Sequence, residues 1–126
     1  MIDRLDHLVL TIANLEETKA FYCGVLGMGF EVFGEGRQAL TFGRSKINLH
    51  IQGRELEPRA LLAKPGTADL CFILSGDLAQ LQAKLKAASI PVLQGPVSRT
   101  GATGPITSIY VRDPDLNLIE LATYDR

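Results

Sequence analysis

No stretch of the 126 residues holds the ~20 consecutive apolar side chains that a membrane-spanning helix requires, which excludes an integral helical placement. Charge of one sign is missing too. Thirteen Lys and Arg against 14 Asp and Glu leave a net charge of -1, so no overall field gathers phosphate backbones and no nucleic-acid partner is expected. Cysteine is scarce: Cys23 and Cys71 belong to no CxxC or zinc-knuckle pattern and read as reduced, small core residues. The amino terminus, Met1 to His7, alternates charged and apolar residues where a signal peptide would be basic and then apolar, so a cytoplasmic protein is expected. With 46% hydrophobic and 21% charged residues the chain is too apolar for disorder, and its length suits one domain with one core.

What is present is a pattern that occurs twice. Leu8 to Ile12 is a breaker-free, β-branched run that reads as a buried strand. Asn14, with Glu17 three residues on, supplies a capping box for a helix whose stripe is Leu15, Thr18, Phe21, Tyr22 and Val25, ended by Gly24 and Gly27. Three short extended runs follow, Phe30 to Phe33, Gln38 to Phe42 and Ile47 to Gln52, separated by glycine turns. Gly53 to Pro65 is charged, holds Pro58 and Pro65, and reads as a linker. The order then restarts. Asp69 to Leu74 is a strand, Asp77 and Gln80 cap a helix with stripe Leu78, Leu81, Leu85 and Ala88, and Val92 to Val97, Ile106 to Val111 and Leu118 to Thr123 are extended. Two βαβββ modules are implied, at about residues 1–53 and 67–126 around a linker at about 54–66. A unit of about 60 residues buries its apolar surface poorly alone, so the modules should pair within one chain or between two.

Strand alternation sorts the side chains by face. His7, Val9 and Thr11 lie opposite Leu8, Leu10 and Ile12, and the aliphatic set is the one a helix covers. By the same count Asp69 groups with Cys71 and Ile73, Asn48 and His50 stand opposite Ile47, Leu49 and Ile51, and Glu120 opposes Ile119 and Leu121. Both histidines of the chain and two carboxylates therefore occupy non-helix faces of the first and last strands of the modules. This is the donor set that a borderline divalent metal prefers. Ser98 and Ser108 have no histidine placed for triad chemistry, and Gly34-Glu35-Gly36 is a hairpin turn, not a phosphate cradle.

Three segments carry a resemblance: Leu5-Asp6-His7-Leu8-Val9-Leu10, Phe21-Tyr22-Cys23-Gly24-Val25-Leu26-Gly27-Met28, and Val111 through Glu120. Together they resemble the vicinal oxygen chelate superfamily, which includes glyoxalase I, extradiol dioxygenases, fosfomycin-resistance enzymes and bleomycin-binding proteins. Lys46 to His50 and Arg99 to Ile106 are similar to a subgroup known as glyoxalase-domain, dioxygenase-related or virulence proteins. The resemblance implies an α+β fold, two paired βαβββ modules forming a curled, mixed-sheet cleft. It implies a divalent ion held by side chains at His7, His50, Asp69 and Glu120. The chain departs from the common pattern at Asp69, where many relatives have histidine, and at Leu116, where the turn has glycine; Asn117 can take the left-handed conformation instead.

The expected chemistry is a Zn²⁺, Ni²⁺, Mn²⁺ or Fe²⁺ ion that grips two adjacent oxygens of a small substrate and stabilises charge as a neighbouring proton leaves. A glyoxalase-like lyase or isomerase working through an enediolate, with Glu120 shuttling the proton, is the favoured reading. The alternatives are an Fe(II) extradiol-type dioxygenase on His7, His50 and Glu120, and a non-catalytic, resistance-type binding protein. Asn48, Arg99, Thr100 and Tyr110 are candidate substrate contacts, Asp69 is either a ligand or an orienting group, and a homodimer sharing its sites is expected.

Overall fold

In the computed structural model, which describes Met1–Arg126, capping and strand alternation act where the sequence places them. Strand β1 (His7–Ile12) leads into α1 (Leu15–Lys19), and the Asn14 side chain accepts from the Glu17 backbone N–H at 2.8 Å. The expected single helix is in fact two segments, because the chain widens into a π-helical turn over Ala20–Val25, with Leu26 N–H reaching back to the Phe21 carbonyl. That turn buries both Phe21 and Tyr22, whose rings meet edge to face. Strands β2 (Gly29–Phe33), β3 (Arg37–Phe42) and β4 (Ser45–Ile51) complete a mixed sheet of order β1-β4-β3-β2, in which β1 and β4 are parallel.

The second unit repeats the plan. Strand β5 (Asp69–Ile73), helix α2 (Leu78–Ala87), and strands β6 (Gln94–Gly101), β7 (Gly104–Arg112) and β8 (Leu118–Tyr124) give the order β5-β8-β7-β6, with β5 and β8 parallel. Asp77 caps α2 by accepting from the Gln80 N–H at 2.7 Å, and Leu81 and Leu85 are buried. The units are Met1–Thr67 and Ala68–Arg126, and the architecture is α+β with the glyoxalase-like topology. Each has its own core. In the first, Leu10, Ile12, Leu40, Ile47 and Leu49 are buried; in the second, Ile109, Val111, Ile119 and Leu121 are. No helix is long and apolar enough to cross a membrane.

The turn between β7 and β8 sets the register of the second sheet. Asp113 accepts from the backbone N–H groups of Asp115 and Asn117, both at 2.9 Å, and from the Asn117 side chain at 2.8 Å. Asn117 Oδ1 in turn accepts from Ala68 N–H at 2.9 Å, which clips the start of β8 to the start of β5. Asn117 is thus fully buried and committed to this clip, and the left-handed residue is Leu116, at φ 67, not Asn117 as expected. A leucine there costs about 1–2 kcal/mol, and Leu116 is largely exposed, so Leu116→Gly should stabilise the protein by about 0.5–1 kcal/mol after the extra chain entropy of glycine. Urea unfolding measures this; a loss of stability would show that the turn is not strained.

Candidate metal and substrate site

The parallel register of β1 and β4 sets His7 opposite Lys46, Val9 opposite Asn48 and Thr11 opposite His50. All six share the non-helix face. Both histidines lie on it, but four residues apart in register, about 13 Å along the strand direction. His7 is exposed, and its Nδ1 is 2.8 Å from Asp6 Oδ2. That bond holds Asp6 below the usual carboxylate range and leaves Nε2 as the open imidazole nitrogen, the arrangement in which a carboxylate orients a metal-binding histidine. Asn48 and His50 are buried, at 4% and 7% exposure, yet Asn48 Oδ1 and His50 Nδ1 have no hydrogen-bond partner. An unpaired buried polar group costs about 1–3 kcal/mol, and two on one face of one strand mark a surface suited to a bound group. Lys46 lays its ammonium 3.7 Å from the centre of the Phe33 ring.

In the second unit Cys71 pairs with Glu120, Asp69 with Leu118, and Tyr110 with Glu120 from the other side. Glu120 therefore stands between Cys71 and Tyr110 on one face. Its Oε2 accepts from the buried Ser108 hydroxyl at 2.6 Å. Cys71 is exposed beside it and is not a core residue as expected, because β5 turns its odd-numbered positions to this face. Burial of the sulfur, reinforced by the charge of Glu120 and a hydrogen bond to it, pushes the Cys71 thiol up to about 11. At neutral pH it is a thiol that can donate to Glu120. Arg99 pairs with Ile106 and so shares the Glu120 face, and its Nε donates to Tyr110 Oη at 2.9 Å. Thr100, opposite Pro105, alternates to the other side of the sheet, which separates it from Arg99, Tyr110 and Glu120.

The two modules can be matched row by row. Aligning His7 with Asp69 aligns Val9 with Cys71, so Asn48, opposite Val9, is the counterpart of Glu120, opposite Cys71. His50 stands one pleat further along and corresponds to Ala122. The expected ligands His7, His50, Asp69 and Glu120 therefore do not occupy matching rows, because Asn48 and not His50 is the β4 counterpart of Glu120. Ser108 and Asp6 were not recognised as parts of the site. Alternation alone puts Ser108 on the Glu120 face, but its bond depends on the β7·β8 register. Within neither unit do three or more His, Cys, Asp or Glu side chains converge into a group that could hold a metal ion.

A βαβββ unit that occurs twice in one short chain defines a class of small two-module domains. The family model for the Glyoxalase/Bleomycin resistance protein/Dioxygenase superfamily matches residues 4–121, and the chain belongs to that superfamily, the vicinal oxygen chelate proteins. It is 55% identical over 120 residues to the glyoxalase domain-containing protein RDO1 of Mycosarcoma maydis, covering 95% of this chain and 68% of that protein. It is 52% identical over 124 residues to virulence protein STM3117 of Salmonella typhimurium, covering 98% and 86%. The crystal structure of STM3117 superposes with a TM-score of 0.96 at 51% identity, over 99% of both chains. Lactoylglutathione lyase of Agrobacterium tumefaciens shares the fold, with a TM-score of 0.73 at 20% identity over 98% of this chain and 95% of that one.

Proposed function

We propose that the protein is a divalent-metal-dependent lyase or isomerase acting on a small substrate with two adjacent oxygens, by way of an enediolate. The observation that carries this reading is the preparation of two donor groups. His7 is tied through Nδ1 to Asp6 and keeps Nε2 open, and the Glu120 carboxylate is held through Oε2 by Ser108, with Cys71 as a second hydrogen-bond partner. These residues fit a divalent ion, and on β4 the unpartnered Oδ1 of Asn48 lies in the register row that matches Glu120. His7 and Glu120 would hold it, with Asp69 orienting a neighbouring donor; His50, about 13 Å from His7 along the strands, is out of reach of an ion bound at His7, and the β4 side chain closer in register is Asn48. The ion, when bound, supplies Lewis-acid polarisation of the substrate oxygens. Ser108 and Cys71 fix the carboxylate of Glu120, and Glu120 carries the proton from one carbon to the next.

The modules supply too few donors singly, and members of this superfamily often dimerise, which supports a homodimer with shared sites. A His7→Ala chain mixed with a Glu120→Ala chain should then regain metal binding in about half of the sites of the heterodimer, since one site recovers every ligand. Sedimentation showing only monomer at micromolar concentration would overturn the shared site.

The test of function is elemental analysis of protein purified without added metal, followed by assays on hemithioacetals and catechols. Turnover of a hemithioacetal with no oxygen uptake supports the proposal. Oxygen-dependent ring cleavage would assign the second reading, an Fe(II) dioxygenase, which is favoured by 31% identity over 122 residues to biphenyl-2,3-diol 1,2-dioxygenase 2 of Rhodococcus globerulus. Metal binding by His50→Ala and Asn48→Ala proteins decides whether residue type or register selects the donor from β4. Register predicts loss in the Asn48→Ala protein; loss in the His50→Ala protein alone would return His50 to the ligand set.

A further inference from the structure

We infer that Lys46 is a strap across the donor face of the first unit, which shuts Asn48 and His50 from solvent in the free protein and must leave its seat on Phe33 before a ligand reaches Asn48. The inference rests on the reading of Asn48 as a donor to the bound group. Lys46 belongs to the row His7, Lys46, Thr41 and Gly29, which crosses all four strands of the sheet. Phe33 stands opposite Arg37, at the end of β2 and the start of β3. The Lys46 ammonium nevertheless lies 3.7 Å from the centre of the Phe33 ring. Its side chain therefore runs over the row between them, Val9, Asn48, Ala39 and Glu31. On this non-helix face Ala39 is fully buried, and Asn48 and His50 are nearly so.

The ammonium passes an acceptor that it could satisfy. Asn48 Oδ1 is buried without a donor, and a lysine ammonium has three hydrogens to give. A lysine that served only to complete this face would stop there and bond. Lys46 instead reaches past Asn48 to a phenyl ring, whose negative face attracts it, and Arg37 approaches the same ring at 5.1 Å. No carboxylate holds it either: Asp6 feels the Lys46 charge, but Lys46 forms no ion pair. Lys46 and Phe33 are both half-buried, and a cation–π contact open to solvent shifts an equilibrium only about two- to fivefold. The seat on Phe33 is thus easily vacated. A ligand that brings a cation or a donor hydrogen to Asn48 Oδ1 satisfies a buried acceptor, which outweighs the contact that it displaces.

The experiment is carbethoxylation of the full-length, metal-free protein with diethyl pyrocarbonate, followed residue by residue by mass spectrometry. The chain has two histidines, and exposed His7 reacts in every variant and serves as the internal reference. His50 should be protected in the unaltered protein. Lys46→Ala should raise its rate relative to His7 by about tenfold, and Phe33→Leu by about two- to fivefold, the weight of the lost cation–π contact. Lys46→Arg keeps a cation of similar reach and should preserve the protection, which separates a strap from a general loosening of the sheet. Hydrogen exchange of the β4 amides should be unchanged in all three variants. A His50 rate in the Lys46→Ala protein no higher than in the unaltered one, or equal gains in the Lys46→Ala and Lys46→Arg proteins, overturns the inference. Because these reactions are run without metal, their failure leaves the metal reading standing. An Asn48→Ala protein that binds Zn²⁺ at unaltered affinity would refute the reading of Asn48 instead, and with it the strap's role as a gate, while the cover over His50 stands.

Discussion

Glu120→Gln is expected to lower divalent-ion affinity by well over 100-fold while leaving the protein folded, a larger loss than the 10–100-fold typical for a group that only orients a ligand. Glutamine is the informative replacement because it keeps an oxygen for the buried Ser108 hydroxyl to bond. Alanine would leave that hydroxyl without an acceptor and mix a folding cost of about 1–3 kcal/mol into the result. Ser108→Ala, which frees the carboxylate to rotate, should fall in the 10–100-fold range for that reason. Asp69, paired with Leu118 one pleat from Cys71 and Glu120, is expected to keep most of the affinity as Asp69→Asn while turnover drops. Calorimetric titration of the apoproteins with Zn²⁺ and Mn²⁺ measures all three. Near-native affinity in the Glu120→Gln protein would remove Glu120 from the ligand set, and an Asp69→Asn loss of equal size would place Asp69 in it.

Gly95→Ala should be the most destabilising single-methyl addition in the chain, at about 3 kcal/mol or more. Gly95 sits at φ +110, outside the range open to a side chain, where β6 breaks register against β7 between Gln94 and Val97. A Cβ there would press on the Ser108 carbonyl oxygen and come within 3.0 Å of the Ile109 Cα. Both obstacles are backbone of a central strand whose side chains, Ser108 and Ile109, are fully buried, so neither can yield cheaply. A domain of this size is stable by about 5–15 kcal/mol, so the change removes a large share of it. Urea unfolding should show the midpoint falling at constant slope, and metal affinity should fall with it because β7 carries the Ser108 contact to Glu120. A cost below about 1 kcal/mol would mean that the bulge relaxes freely.

Local rules made much of this protein legible before any coordinates. Capping chemistry placed both helix starts, at Asn14 and Asp77, because the bond from a side-chain oxygen to the third residue onward involves only neighbours. Alternation sorted His7 from Leu8, Asn48 and His50 from Leu49, and Glu120 from Ile119, because a strand has a period of two wherever it lies. The restart at Asp69 showed the duplication by the same means. Tertiary pairing decided the rest, because the partners are far apart in sequence and alternation does not say which rows meet. It set Asn48, not His50, opposite Val9 in the row that holds Glu120 in the other module, and brought Ser108 to Glu120 across β7 and β8. It also committed Asn117 to clipping β5 against β8, which left Leu116 to take the left-handed turn. Those choices follow from sheet register, an energy of many long-range contacts formed together, and no single stretch of sequence contains it.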